Sequence, residues 1–120
     1  MAHYIRYEIF LPVEYTDRQT NERRSVDRST LRAFTAEVVQ KYGGYTEANP
    51  TAAPPYRGYY LSQENIAVDL LITLVVLVPA SQDEESLDYF TQWKQRFESE
   101  YNHEVVLITY YPIQIIGELG

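Results

Sequence analysis

The sequence predicts a single α+β domain, and three of its features carry that prediction. Residues 66–79 (IAVDLLITLVVLVP) consist mainly of valine, isoleucine and leucine, and β-branched residues at this density favour a strand over a helix. Elsewhere, two segments show apolar residues at helical spacing, and further segments show the alternation or bounded apolar runs of strands. Since 120 residues suffice for one hydrophobic core, we expect one domain over residues 1–120.

The 66–79 segment is interpreted as a central strand with two apolar faces. Successive side chains of a strand point to opposite sides. One side takes Ile66, Val68, Leu70, Ile72, Leu74 and Val76, and the other takes Asp69, Leu71, Thr73, Val75 and Leu77. Both faces therefore need other elements to cover them.

The first third of the chain predicts a strand, a charged loop and a helix. Residues 4–13 alternate, with Ile5, Tyr7, Ile9 and Leu11 on one face. Residues 14–27 (EYTDRQTNERRSVD) show no period and are expected to form a long loop. A helix capped by Asp27 or Ser29 follows, and Gly43 with Gly44 ends it.

The remaining elements are two strands and a second helix around the central strand. Prolines at 50, 54 and 55 confine residues 45–60 to an edge strand or a loop, with a short strand near 57–62 or one that begins earlier, at Tyr45. Ser81 and Glu84 form an S-x-x-E capping box. The helix that it starts is expected to bury Leu87, Phe90 and Phe97, with Trp93 on its flank, and to end near Asn102. A last strand covers residues 105–111, before an apolar tail.

The resulting order, strand-helix-strand-strand-helix-strand, resembles the ferredoxin-like α/β plait over residues 4–111. The resemblance implies a four-stranded antiparallel sheet in which the first strand lies between the third and the last. It also implies that both helices cover one face. It rests on the order of the elements and contains no family-specific motif, so it implies nothing about activity.

One face of such a sheet has no helix over it, and the sequence makes that face partly apolar. The expected residues are Phe10, Leu71, Val75, Leu77 and Leu107. Large apolar patches are rare on monomers, so we predict a homodimer in which two sheets pack face to face, as in dimeric α/β barrels. The alternative is that the tail from Pro112, or the charged loop, folds over the same face.

The same face is predicted to carry a set of polar side chains, which are Tyr4, Arg6, Glu8, Asp69, Thr73, Thr109 and Tyr111. These are the candidate ligand-binding residues. One hypothesis is a cavity in which Glu8 or Asp69 has a raised pKa and acts as acid or base beside tyrosine hydroxyls. The other, which we prefer, is that Arg6 pairs with Glu8 or Asp69 and fixes the strand register.

Arginines near the start of the first helix form a second candidate site. Arg23, Arg24 and Arg28 could hold an anion beside a helix N-terminus. Acidic residues surround them, however, and favour a neutralised, solvated loop; these are Glu14, Asp17, Glu22 and Asp27.

Composition removes several classes of function from consideration. A formal charge of −7 argues against nucleic acid, and the absence of cysteine excludes disulfides and thiolate metal sites. The two histidines, His3 and His103, begin neighbouring antiparallel strands and so lie at opposite ends, which argues against a metal site or a serine hydrolase. No cofactor is expected. The N-terminus has no signal-peptide pattern and no run suits a membrane helix, so we expect a soluble cytoplasmic protein.

Two functions remain compatible with the sequence. The first is a homodimeric binding or interaction protein that holds a small molecule or a protein partner, with Tyr56, Tyr59 and Tyr60 as a possible contact surface. The second is a small cofactor-free enzyme of the dimeric α/β barrel kind, with Glu8 or Asp69 as its acid or base. The first is favoured because the sequence assembles no catalytic set of residues.

Overall fold

A computed structural model describes residues 2–17, 19–48, 56–62, 65–101 and 105–117; at 16, 56–62 and 65–70 it describes the backbone alone. The strands are β1 (Ala2–Pro12), β2 (Glu14–Thr16), β3 (Arg23–Ser25), β4 (Thr46–Ala48), β5 (Tyr56–Ser62), β6 (Asn65–Pro79) and β7 (Leu107–Ile115). The helices are α1 (Ser29–Tyr42) and α2 (Asp83–Glu100), and one 3-10 turn, Ala80–Gln82, precedes α2. Neither α1 nor α2 combines the length and apolar character that a membrane span requires.

The main sheet is antiparallel and has four strand positions, as predicted. Strand β1 pairs with β6 on one edge and with β7 on the other. Both β4 and β5 pair with the remaining edge of β6, so together they occupy the second strand position of a ferredoxin-like plait. Of the two predicted alternatives, the structure shows the edge strand that begins near Tyr45 and is interrupted before Tyr56. Residues 49–55 lie outside the described part of the chain.

Both helices cover one face of this sheet and form a single core with it. The alternate residues Ile5, Tyr7, Ile9 and Leu11 of β1 are buried, as expected from the sequence. They pack with Leu31, Phe34 and Val38 of α1, Phe90, Trp93 and Phe97 of α2, and the even-numbered residues 72–78 of β6. Phe34 lies edge-on to Phe90, Trp93 and Phe97, with ring centroids 5.0–6.1 Å apart. Edge-on aromatic packing of this kind joins the two helices.

The start of α2 differs from the predicted capping box. Ser81 lies in the 3-10 turn, Gln82 occupies the N-cap, and no side chain caps the helix there. The backbone N–H of Asp83 donates to the carbonyl of Ala80, so the preceding turn satisfies one of the N–H groups at this end of the helix. The predicted acidic first turn, residues 83–85, is present.

The buried stripe of α2 is also rotated relative to the prediction. Leu87 is 40% exposed, whereas Trp93, expected on the flank, is 6% exposed. The sheet-facing position in this turn of the helix is taken by Ser86, which is fully buried and lies 2.8 Å from the hydroxyl of Tyr7. Because the Ser86 hydroxyl donates to the carbonyl of Asp83, the Tyr7 hydroxyl is the donor to Ser86. A small polar residue therefore faces the sheet where a leucine was expected.

Two connections also differ from their expected form. Residues 14–27, predicted to be a long loop, contain the β2–β3 hairpin, with Glu14 opposite Ser25. Of the tail, residues 112–115 extend β7 along β1, with Ala2 opposite Ile115, and so do not fold over the open face. At α1, Ser29 lies inside the helix while the Asp27 carboxylate accepts its N–H at 2.9 Å. Gly43 ends the helix as predicted, with a left-handed φ of 90°.

The rotation of α2 predicts unequal effects of two alanine substitutions. Trp93→Ala should lower the free energy of unfolding by about 3–5 kcal/mol, because it opens a cavity among the core rings. Leu87→Ala should lower it by about 1 kcal/mol or less, because that side chain is partly in water. Urea denaturation of both variants measures the difference, and equal losses would contradict the observed orientation of the helix.

Candidate ligand site on the open sheet face

The open face is the side of the sheet opposite the two helices. Directly opposed residues of neighbouring strands share a face, so the register places the predicted residues in rows across the sheet. Arg6 lies between Leu77 and Tyr111, Glu8 between Val75 and Thr109, and Phe10 between Thr73 and Leu107. The residues that the sequence assigned to one face of β1, β6 and β7 therefore do share a face, and the register shows which of them are opposed.

A hydrogen-bonded cluster on Glu8 occupies the centre of this face. The Glu8 carboxylate accepts hydrogen bonds from the Tyr111 hydroxyl at 2.7 Å, from Arg6 Nε at 3.1 Å and from the Thr109 hydroxyl at 3.4 Å. Arg6 and Glu8 are two residues apart on β1, and the other two donors come from β7. We call these four residues the Glu8 cluster.

The cluster keeps the carboxylate in its charged form. The Tyr111 hydrogen bond and the Arg6 guanidinium hold the pKa of Glu8 below its usual value, and they outweigh the partial burial that opposes them. Conversely, the hydrogen bond to Glu8 raises the pKa of Tyr111. The cluster in a single chain therefore presents a paired carboxylate and a protonated tyrosine, whereas a general acid at neutral pH would need a raised carboxyl pKa.

Asp69 does not belong to this cluster. Its backbone pairs with Gly58 of β5, while Glu8 is opposite Val75. Six residues of β6 separate those positions, which corresponds to about 20 Å of extended strand. Of the two predicted partners of Arg6, the fold brings only Glu8 within reach, and the side chain of Asp69 is outside the described part of the structure. Tyr4 lies half-buried at the end of the same face, opposite Ile113.

The predicted apolar residues surround the cluster. Phe10, Leu71, Val75 and Leu77 are half-buried in the single chain, and Leu107 is 55% exposed. Thr73 differs from its neighbours, because it is only 5% exposed and its hydroxyl has no hydrogen-bond partner. A buried hydroxyl without a partner is unfavourable, and Thr73 is the polar group of this face that the single chain leaves unsatisfied among the described residues.

Two of the three arginines of the second candidate site, Arg23 and Arg24, have acidic partners. Arg23 lies 3.6 Å from Glu14, and Arg24 lies 2.7 Å from Asp17. The N–H of Gln19 and the Arg24 guanidinium hold the pKa of Asp17 below its usual value. Arg28 is exposed at the N-cap of α1. For Arg23 and Arg24, the ion pairs give the charge-neutralised loop that was expected from the surrounding acidic residues.

Nothing resembling a metal centre appears in the described ranges, where no three side chains of the metal-binding type lie together. His3 is exposed on β1 opposite Gln114. His103 lies outside the described residues, as do the side chains of Tyr56, Tyr59 and Tyr60, so neither the histidine separation nor the tyrosine surface is observed.

A concave site on the other side of the sheet was not predicted. We call it the helix-side cleft; it has a volume of about 150 Å³ and lies between α2 and β7, with Lys94 among its lining residues. The sequence contained one indication of it, since Lys94 falls at the helical spacing of Phe90 and Phe97. A lysine in an apolar stripe needs a reason to be there, but the facing residues of β7 could not be assigned before the register was known.

Comparison with known proteins supports the fold. No protein-family model matches the chain, and no curated protein matches its sequence. Among solved structures, the chain is similar to the divalent cation tolerance protein (Cut A1) from Thermus thermophilus, with a TM-score of 0.53 and 14% identity. The match covers 96% of this chain and 87% of that one. At this identity the likeness shows the ferredoxin-like fold and nothing about ligand or activity.

The geometry of the Glu8 cluster predicts a pH-dependent contribution to stability. Because the folded-state pKa of Glu8 is below its usual value of 4.5, its contribution is fully present above pH 4.5 and is lost as the pH falls through the folded-state pKa. Glu8→Gln keeps a hydrogen-bond acceptor but removes the charge. At pH 7 it should lower the free energy of unfolding by about 1 kcal/mol or less, since the cluster is partly exposed. Below the folded-state pKa of Glu8 it should have no effect, because the wild-type carboxyl is then also uncharged.

Urea denaturation at a series of pH values between neutral and strongly acidic measures this difference. Glu47→Gln is the matched control, because Glu47 is an exposed glutamate on β4 whose side chain makes no hydrogen bond within the described residues. A difference between wild type and Glu8→Gln that stays constant at every pH would show that the charge of Glu8 does not contribute.

Proposed function

We propose that this chain is a small, soluble, cytoplasmic binding protein that acts as a homodimer. In this proposal the open face of one copy packs against the open face of a second copy, and a small ligand or partner segment is held at the Glu8 clusters between them. The observation that carries the proposal is an uncovered sheet face on which apolar residues surround one charged, hydrogen-bonded group.

The apolar part of the face supports the dimer. The helices occupy the opposite side, and residues 112–115 of the tail continue as β7 instead of folding back. Residues 14–16 and 23–25, the two described strands of the charged segment, pair with each other in a separate hairpin. Leu107, Val75 and Leu77 therefore remain partly in water in the single chain, and burying such a surface against its own copy is the common solution in symmetric oligomers.

The polar part of the face supports ligand binding. An interface built only for association would bury apolar residues at its centre, where charged residues are usually depleted. Here the centre carries a carboxylate with three donors around it. A charge at that position is favourable between two sheets only if it keeps these partners or gains new ones, and a bound polar group would provide them.

The alternative is a cofactor-free enzyme that uses Glu8 as acid or base. That role requires the second copy to desolvate Glu8 enough to raise its pKa against the effect of Tyr111 and Arg6. In Glu8→Gln, an unchanged affinity for a ligand together with a lost turnover would favour the enzyme, and a lost affinity would favour the binding protein.

The dimer is tested by the mass in solution, measured by light scattering at several concentrations. The wild type is expected to be a dimer, while Val75→Arg and Leu107→Arg should give folded monomers, because each places a charge in the apolar part of the interface. Circular dichroism establishes that the variants remain folded.

Val39→Arg is the matched control, since Val39 is 45% exposed on α1, on the opposite side of the sheet. It should leave the mass unchanged. A monomeric wild type at all concentrations, or variants that dimerise like the wild type, would rule out the face-to-face arrangement.

A further inference from the structure

The helix-side cleft lies on the opposite side of the sheet from the open face, and three of its seven lining residues are aromatic. Tyr7 and Phe90 are buried, with ring centroids 4.2 Å apart, and they form its base. Tyr110 stacks on Tyr7 at 5.5 Å and is 50% exposed, so it lies at the rim together with Leu87, which is 40% exposed. The cleft is thus lined by aromatic rings at its base and is open to water along one side.

The dimensions of the cleft limit what it can hold. Its volume is about 150 Å³, and an apolar protein cavity of about that size accommodates a single benzene ring. Offset stacking on an aromatic wall is a favourable geometry for such a ring. Leu87 and Tyr110, which leave much apolar surface in water in the free chain, would be covered by the same ligand.

Lys94 adds a positive charge at one end of this aromatic surface. Its ammonium donates to the Glu98 carboxylate and, at 2.8 Å, to the carbonyl of Val106. An ammonium has three N–H donors, and within the described residues Lys94 uses two of them. The third is available to an acceptor in the cleft that Lys94 lines, and a charged donor prefers an anionic acceptor.

The position of Lys94 is fixed by its partners. Glu98, which accepts from Lys94, also accepts from the N–H of Val106 at 2.9 Å. Lys94 and Glu98 are one helical turn apart on α2, and Val106 immediately precedes β7. The ammonium is therefore held in place by contacts to α2 and to the start of β7. Because these contacts form when the chain folds, binding a ligand does not incur the entropy cost of ordering the lysine side chain.

We propose that the helix-side cleft binds a small aromatic carboxylate with one ring, which places the ring against Tyr7 and Tyr110 and the carboxylate against the Lys94 ammonium. The volume of the cleft limits the ligand to one ring, and the aromatic side chains favour a flat, apolar ring. The remaining N–H donor of Lys94 favours a negatively charged group at one end of the ligand. The proposal involves none of the residues of the open face, so its tests do not depend on whether the protein forms the proposed homodimer.

The first experiment titrates the full-length protein with benzoate and follows the backbone amides by two-dimensional NMR. Benzyl alcohol serves as the neutral probe with the same ring. Both should shift the amides of residues 87–94 and 108–110 at millimolar concentration, with benzoate the tighter of the two. If neither probe shifts these amides, the cleft is not a binding site and the proposal fails.

Two tryptophan substitutions test whether binding occurs in the cleft. Thr91→Trp places a bulky ring at an exposed position that lines the cleft, and should abolish the shifts from both probes. Gln95→Trp is the matched control, at an exposed position of α2 that does not line it, and should leave both affinities unchanged. Equal binding to the two variants would place the probes elsewhere and overturn the proposal.

Two charge substitutions test the anionic preference. Lys94→Met should weaken benzoate by about tenfold or more, as expected for the loss of a charged hydrogen bond, and leave benzyl alcohol within about twofold. Glu98→Gln removes the competing carboxylate and should strengthen benzoate alone. An equal change for both probes in Lys94→Met would show that Lys94 acts only on the structure, and the anionic part of the proposal would be wrong.

Discussion

Strand β6 sets the constraint on which the rest of the structure depends, because it is apolar on both faces and lies inside the sheet. The even-numbered residues 72–78 are buried against the helices. The opposite residues, Leu71, Val75 and Leu77, receive only partial cover from their neighbours in the sheet. A two-layer α+β domain can cover one face of such a strand but not both. The uncovered face is therefore a direct consequence of the central strand, and it is the reason that association with a second copy is the leading interpretation of this protein.

The polar groups of the two faces differ in burial and in the number of their hydrogen-bond partners. On the helix side, the hydroxyl of Tyr7 is buried and donates to Ser86, which faces the sheet on the same side of α2 as Phe90 and Phe97. On the open face, the carboxylate of Glu8 keeps three donors and part of its exposure to water. A buried hydroxyl needs one partner, whereas a carboxylate needs several or a solvent path. The first arrangement has a structural role, and the second leaves a group that a ligand can still reach.

The two candidate sites differ in how they depend on assembly. The Glu8 cluster lies on the open face of the sheet and becomes enclosed only if another surface covers it. The helix-side cleft is concave within one chain, because α2 and β7 enclose it and the contacts among Lys94, Glu98 and Val106 hold those elements together. The sheet separates the two sites, with β1 contributing Tyr7 to one face and Glu8 to the other. Successive residues of one strand thus serve different sites.

The sequence by itself determined the order of the main strands and helices. It also determined the core face of β1 and the polar side chains of the open face at Arg6, Glu8, Thr109 and Tyr111, because a period of two fixes which residues of a strand share a face. It also determined the helix stop at Gly43, which depends on local backbone freedom. Only the tertiary structure decided the rotation of α2, the separation of Asp69 from Arg6, the hairpin at residues 14–16 and 23–25, and the cleft at Lys94. Each of these depends on which residues of distant segments face one another, and that pairing is fixed when the elements pack.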